Sequence, residues 1–351
     1  MADKPVPSTA RRFQEIDVFR GIAAMWVVLF HFVIRYSDLR LSPAAAEPQF
    51  IRSFAAAVLA TLPDFGLLPV YWFFMISGFV ITWTLERCRT WRDFAVSRAT
   101  RLYPAYWGAV TLTFLAGSFW PLPEQSYTLR QFVWNLSMVQ EIFKVPHIDG
   151  VYWSLTVELL FYFGMAGLFV LGWLHRLHLI CLAWALACVA NHLLARYGID
   201  VWWLVQKYAL LRQGHFLIAG IMFYQLWLGR RRIASSGILI LCLISIGLAY
   251  PPVEALVCAG FFAAFWLAIR HRLGFIAIRP LLWLGSISYA LYLCHELLGW
   301  RLMLTLETLG VPRLVAILAA IAMALGLAHL LTRLVERPAR AAVRRWRTAG
   351  D

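Results

Sequence analysis

Charge is scarce in this sequence, and acid scarcer than base. Asp, Glu, Lys and Arg make up 14% of the 351 residues, against about 25% in an ordinary soluble domain. With 62% of its residues hydrophobic, the chain has more apolar surface than one water-facing domain can bury. The six cysteines (Cys88, Cys181, Cys188, Cys242, Cys258, Cys294) form no CxxC pair. Five stand in apolar runs and Cys88 ends one, so they read as buried thiols, and no metal site is expected. Internal repeats, low-complexity tracts and a soluble appendage are also missing. The opening MADKPVPSTARRFQEIDVF is too polar for a secretory signal and lacks a small-residue cleavage site. The first apolar run is therefore read as a retained anchor.

What the sequence does have is long apolar runs. A bilayer crossing takes about 20 mainly apolar residues, and ten runs qualify: 16–36, 68–86, 103–120, 151–174, 178–196, 209–228, 234–250, 252–270, 281–300 and 313–334. This predicts an all-α polytopic membrane protein. The 17 Trp, 13 Tyr and 24 Phe suit membrane–water interfaces. Orientation follows from Lys and Arg: with the N-terminus in the cytoplasm, 22 of the 32 basic residues fall inside, which agrees with the positive-inside rule and puts both termini there. The predicted organisation is a cytoplasmic tail over 1–11, one transmembrane domain over 12–340 and a cytoplasmic tail over 341–351. The net charge of +14 then reads as topology signal plus attraction to the anionic lipid bilayer. No nucleic-acid partner is expected, because no recognition motif accompanies the charge.

Within the apolar runs, a few ionisable residues stand out. FRGIAAMWVVLFHF brackets its run with Arg20 and His31. A charge near the bilayer centre costs roughly 2.5–3.5 kcal/mol on insertion scales, and such groups are functional candidates. Eleven residues are about three helical turns, so Arg20 and His31 project from nearly one face, roughly 16 Å apart. Asp17 lies one turn before Arg20, so a local Asp17–Arg20 pair is the plainer alternative. Arg98 and Arg101 share a face at the cytoplasmic entry of the third span. They are either positive-inside anchors or a grip for phosphates, which Arg binds bidentately. In the fourth span, Trp153-Ser154-Leu155-Thr156-Val157-Glu158 buries a carboxylate two turns deep, where it needs protonation or a cationic partner. Ser77 and Gly78 read first as close helix packing. Tyr289, Tyr292 and His295 occupy the ninth span, and Glu336–Arg337 reads as a structural ion pair ending the last.

Together these motifs resemble the acyltransferase-3 family of integral-membrane acyltransferases. The resemblance rests on Asp17-x-x-Arg20-Gly21 with His31, on Phe73-Phe74-x-x-Ser77-Gly78-Phe79, and on Arg98-x-x-Arg101-x-Tyr103-Pro104. It continues through Trp153-Ser154-Leu155-x-x-Glu158, Ser288-Tyr289-x-x-Tyr292-Leu293-x-His295 and Glu336-Arg337-Pro338. It implies transfer of an acyl group, usually acetyl, from acyl-CoA to a hydroxyl, commonly of a carbohydrate. In that family the arginine–histidine pair of the first helix and the arginine pair before the third are tied to activity; here they match Arg20 with His31, and Arg98 with Arg101. The chain looks like the stand-alone form, without the C-terminal hydrolase-like domain that many members carry.

On this reading Arg98 and Arg101, with Arg20 further in, hold the coenzyme phosphates at the inner (cytoplasmic) membrane face. The neutral imidazole of His31 takes the hydroxyl proton. Glu158 orients His31 or balances Arg20. Ser77, Tyr289 and Tyr292 are alternatives for the oxyanion donor, and Trp153 and His295 are further acceptor contacts. Direct transfer and an acyl-histidine intermediate both fit. The rival class is a transporter or flippase for a glycolipid or acylated sugar. Transporters often carry broken helices or internal repeats, and the sequence shows neither beyond polar interruptions near Gln213–His215.

Overall fold

The computed structural model describes residues 13–38, 48–123 and 125–350. The predicted tail 1–11, residues 39–47 of the loop over 37–67, and Asp351 lie outside the described residues. Those described are helical throughout, without strands. In chain order the helices are α1 Gln14–Arg35, α2 Gln49–Thr61, α3 Leu68–Leu85, α4 Trp91–Phe119, α5 Leu129–Asn135, α6 Trp153–Val170, α7 Leu177–Arg196, α8 Trp203–Tyr208, α9 Gly214–Trp227, α10 Arg232–Ala249, α11 Pro252–Ile269, α12 Arg279–Cys294, α13 Glu296–Thr308, α14 Arg313–Leu331 and α15 Arg337–Gly350.

Each predicted span overlaps a helix, although 281–300 falls on two. Among the described residues, seven helices are long and apolar enough to cross a bilayer, or eight when the bent pair α12–α13 counts as one span. Helix α9, at 14 residues, is shorter than a crossing needs. Helix α4 starts well before the apolar run at 103, because Thr90 and Asp93 form a reciprocal capping box ahead of Trp91. This carries Arg98 and Arg101 inside the helix. Pro252 begins α11 at the first helical position, where its missing N–H costs nothing.

One expectation is corrected. The run 281–300 was read as a single unbroken span. It breaks at His295, and α12 and α13 diverge by 73° there. Hydropathy averages composition over a window, so it does not register a bend between two apolar segments.

The helices group into two compact units. The first comprises 13–22, 71–87 and 161–285; the second comprises the described parts of 23–70, 88–160 and 286–350. In the first unit the backbones meet at glycines. A Cβ on Gly285 would lie 2.0 Å from the Asp17 carbonyl oxygen, and one on Gly220 would lie 2.0 Å from that of Met75. Gly78 faces the Leu217 carbonyl in the same α3–α9 contact, which is the packing role the sequence implied for it. Five of the cysteines are buried and all six are free thiols. In the second unit α13 packs on α14, and α4 runs beside the end of α14.

Because Gly220 admits no side chain, Gly220→Val should lower stability by at least the roughly 1–3 kcal/mol of an overpacked core. Gly164→Val, where nothing lies within 4 Å, should stay within about 0.5 kcal/mol. Thermal unfolding in detergent micelles checks this; equal melting points for the two variants would contradict the packing account.

Candidate functional site

The strongest constellation lies in the second unit and is built around His31. Residues Phe30–Arg35 at the end of α1 form a π-helical stretch, a widened turn found frequently at functional sites. Its bond runs from the Tyr36 N–H to the His31 carbonyl. Two contacts from α13 clamp the turn. The Trp300 indole donates to the His31 carbonyl at 3.0 Å. The Phe32 ring lies where a Cβ on Gly299 would be, 2.2 Å away.

The chain break at His295 puts a second imidazole against the first. His295 Nδ1 lies 2.9 Å from the Tyr292 carbonyl and 3.1 Å from that of Leu291. Carbonyl oxygens only accept, so Nδ1 carries the proton and Nε2 carries the lone pair. His31 Nδ1 lies 3.1 Å from that Nε2 and 2.9 Å from the Val27 carbonyl. Both partners are acceptors, so His31 Nδ1 is also the protonated nitrogen. The lone pair of His31 therefore sits on Nε2. The arrangement parallels a hydrolase triad, where a partner fixes the tautomer of the working histidine.

His31 Nε2 faces Glu296 Oε1 at 3.7 Å, too far for a direct hydrogen bond. The His31 side chain keeps 14% of its surface accessible. Glu296 Oε2 is buried and has no hydrogen-bond partner, and Gly150 lies close against the carboxylate. Asp149 completes the group. Its Oδ1 accepts from the Val151 N–H at 3.3 Å and its Oδ2 from the Leu297 N–H at 3.4 Å, in the first turn of α13. Burial, then the neighbouring Glu296, push the Asp149 carboxyl well above the usual carboxylate range. The result is one imidazole lone pair facing a half-satisfied pair of carboxyl groups.

A second cluster in the same unit gathers around Glu336. Arg101 and Arg340 both donate to Glu336 Oε1. Glu336 lies on a second π-helical stretch, Thr332–Glu336. The predicted Glu336–Arg337 pair is thus corrected: neighbours at i,i+1 point apart, and the i,i+4 partner Arg340 is the one that reaches. Arg98 is half-buried, donates to Ser97 Oγ at 3.1 Å, and leaves its Nε without a partner. Two guanidiniums share the Glu336 carboxylate, so positive charge is left over.

The remaining predicted residues are placed as follows. Arg20 belongs to the first unit, where it lies 4.0 Å from Asp17. Ser77 is buried in that unit. Tyr289 donates to the Leu102 carbonyl at 3.0 Å, and its ring lies 5.5 Å from the Arg101 guanidinium. The Tyr292 hydroxyl lies 2.9 Å from the Val151 carbonyl and 2.6 Å from Ser154 Oγ, fastening α12 to the start of α6. Glu158 is half-buried on α6, within electrostatic range of the Tyr292 hydroxyl, and Trp153 begins that helix. The carboxylate at His31 is Glu296. Glu296 and Asp149 escaped sequence reading, although the adjacent pair His295-Glu296 inside an apolar run was the available signal.

The tautomer assignment is open to direct test. In protein carrying 15N-labelled histidine, His31 and His295 should both show a protonated Nδ1 and a bare Nε2, with a coupling that His295→Phe abolishes. A protonated Nε2 on neutral His31 would contradict the assignment.

The acyltransferase-3 family model, described as an acyltransferase domain, matches residues 13–333. No curated protein and no solved structure matches the chain.

Proposed function

We propose a specific reaction for this chain, which belongs to the acyltransferase-3 family and is a multi-pass membrane acyltransferase: transfer of an acyl group, acetyl in the first instance, from cytoplasmic acyl-CoA to a hydroxyl of a carbohydrate in a cell-surface or lipid-linked glycan. The observation that carries the reading is the bare Nε2 of His31, oriented by His295 and facing Glu296.

In this scheme the acceptor hydroxyl donates its proton to His31 Nε2 as its oxygen attacks the thioester carbonyl. The C–O bond forms, the C–S bond breaks, and the coenzyme leaves as a thiolate that takes the proton back from His31. A base so placed contributes typically 10²–10⁴-fold. Glu296, which faces Nε2, stabilises the imidazolium that forms. His295 is a positioning residue, since it acts through His31. A positive charge on His31 beside two carboxyl groups favours direct transfer over an acyl-histidine. Arg98, with its unpartnered Nε, is the proposed first contact for the coenzyme phosphates. Arg101 joins it on release from Glu336, since phosphate competes with carboxylate for a guanidinium. Ten crossings with both ends in the cytoplasm of an inner membrane complete the proposal.

The transporter reading loses one argument against it, because the helix pair α12–α13 is broken; family membership now separates the two classes.

Purified protein incubated with radiolabelled acetyl-CoA and a panel of glycans tests the reading. Labelled glycan should form, and His31→Gln should lower kcat by about 10²–10⁴-fold. Arg98→Ala should raise the KM for acyl-CoA with a smaller effect on kcat. Near-normal turnover by His31→Gln would remove it as the base, and an unchanged KM would return Arg98 to a topology signal.

A further inference from the structure

Arg301, on α13, is 1% exposed. Its Nε donates to the Trp120 carbonyl at 2.8 Å, and its Nη2 donates to Gln125 Oε1 at 3.3 Å. Its Nη1 is buried with no hydrogen-bond partner. No carboxylate among the described residues lies within ion-pair distance of it. The same unit shows what a purely structural buried arginine looks like. Arg313 is equally buried, but it donates to Glu307 at 2.9 Å, and both side chains are fully shielded. A buried guanidinium without a counter-charge is costly to the fold. Among the described residues Arg313 has a carboxylate partner and Arg301 has none.

The surroundings of Arg301 suit a sugar. Gln125 Oε1 also accepts from the Tyr127 hydroxyl at 3.1 Å, and the Tyr127 ring lies 6.0 Å from the guanidinium. Trp120 fixes the end of the group by donating to Thr305 at 2.9 Å. Amide, phenol, indole and guanidinium together form a set able to hold polar rings through planar hydrogen bonds and ring faces. The group lies within electrostatic range of the carboxyl groups beside His31. Arg301 follows Glu296 by five residues, about 7.5 Å along the helix. The Tyr127 hydroxyl feels Arg301 on one side and the Asp149 and Glu296 carboxyl groups on the other.

We propose that Arg301 binds an anionic group of the acceptor, a carboxylate or a phosphate, carried on the sugar that receives the acyl group or on its neighbour. Gln125 holds the guanidinium in plane, and Nη1 completes a bidentate clamp on the anion. The proposal rests on the acyl-transfer reading and narrows its acceptor to acidic glycans.

Three soluble probes test it: the methyl glycoside of a uronic acid, the 6-phosphate of the parent sugar, and the neutral methyl glycoside. With acetyl-CoA in excess, the two anionic probes should exceed the neutral one at least tenfold in kcat/KM, and whichever leads distinguishes carboxylate from phosphate. Arg301→Gln should lower kcat/KM for the anionic probes at least tenfold and so erase that preference. Gln125→Leu should weaken the preference without removing it. Equal use of all three probes by the native protein would overturn the proposal. So would an Arg301→Gln variant that loses charged and neutral substrates alike, which a merely structural arginine would do. Equilibrium binding of the probes to His31→Ala protein separates this from the catalytic reading. Charge-selective binding by a protein whose native form transfers nothing would keep the subsite and overturn the reaction, whereas transfer without charge preference would do the opposite.

Discussion

Everything assigned to the second unit depends on one contact, His31 Nδ1 against His295 Nε2 at 3.1 Å. Each imidazole needs a fixed tautomer to make it, and the backbone carbonyls of Leu291, Tyr292 and Val27 fix both. The consequence is a lone pair on His31 Nε2 in a polar chamber inside an apolar bundle. The contact in turn requires two departures from regular helix, the π stretch at Phe30–Arg35 and the 73° break at His295. A regular helix in either place would project the rings along a different phase. Local irregularity is thus the means by which two spans present functional groups to one another without exposing backbone to lipid, where an unsatisfied polar group costs several kcal/mol. The His31 carbonyl is doubly satisfied, accepting from the Tyr36 N–H of the π turn and from the Trp300 indole.

Charge in this unit follows the same economy. Arg313 meets Glu307, and Arg101 and Arg340 meet Glu336. These pairs are compensated where they stand. Arg98 and Arg301 stand apart in making no ion pair among the described residues, and Glu296 Oε2, Arg98 Nε and Arg301 Nη1 are buried without a hydrogen-bond partner. Each is a polar atom held away from water without a partner, the condition that a native fold rarely tolerates unless a ligand supplies the missing half. They mark, in order, the reacting hydroxyl, the donor phosphates and the acceptor anion of the proposed reaction. The first unit shows a different logic: its helices approach at Gly78, Gly220 and Gly285 until backbone meets backbone, as small-residue interfaces do in membranes.

Much of this was legible in the sequence, and the reasons for the gaps are physical. Apolar runs located the helices, because lipid-depth segments must be apolar along their length. His31, Arg98, Arg101 and His295 stood out because ionisable groups are costly there. The π turn at His31 was not legible, since it is held by Trp300 and Gly299, which are far away in sequence. The break at His295 left no hydropathy signal. The apolar neighbours of Glu296 hid its role, and Asp149 sits in a loop where acid is unremarked. Glu336 was seen but matched to its chain neighbour Arg337, because sequence shows adjacency and not the partner that α4 brings from elsewhere.

The central claim is that the bare Nε2 of His31 is the atom through which transfer runs. Acylation with diethyl pyrocarbonate, which attacks only unprotonated imidazole nitrogen, addresses that atom directly when modified positions are mapped by mass spectrometry and compared with residual activity. The account predicts that activity falls in step with carbethoxylation of His31 and that a saturating glycan acceptor protects both. Full modification of His31 with transfer activity intact would contradict it.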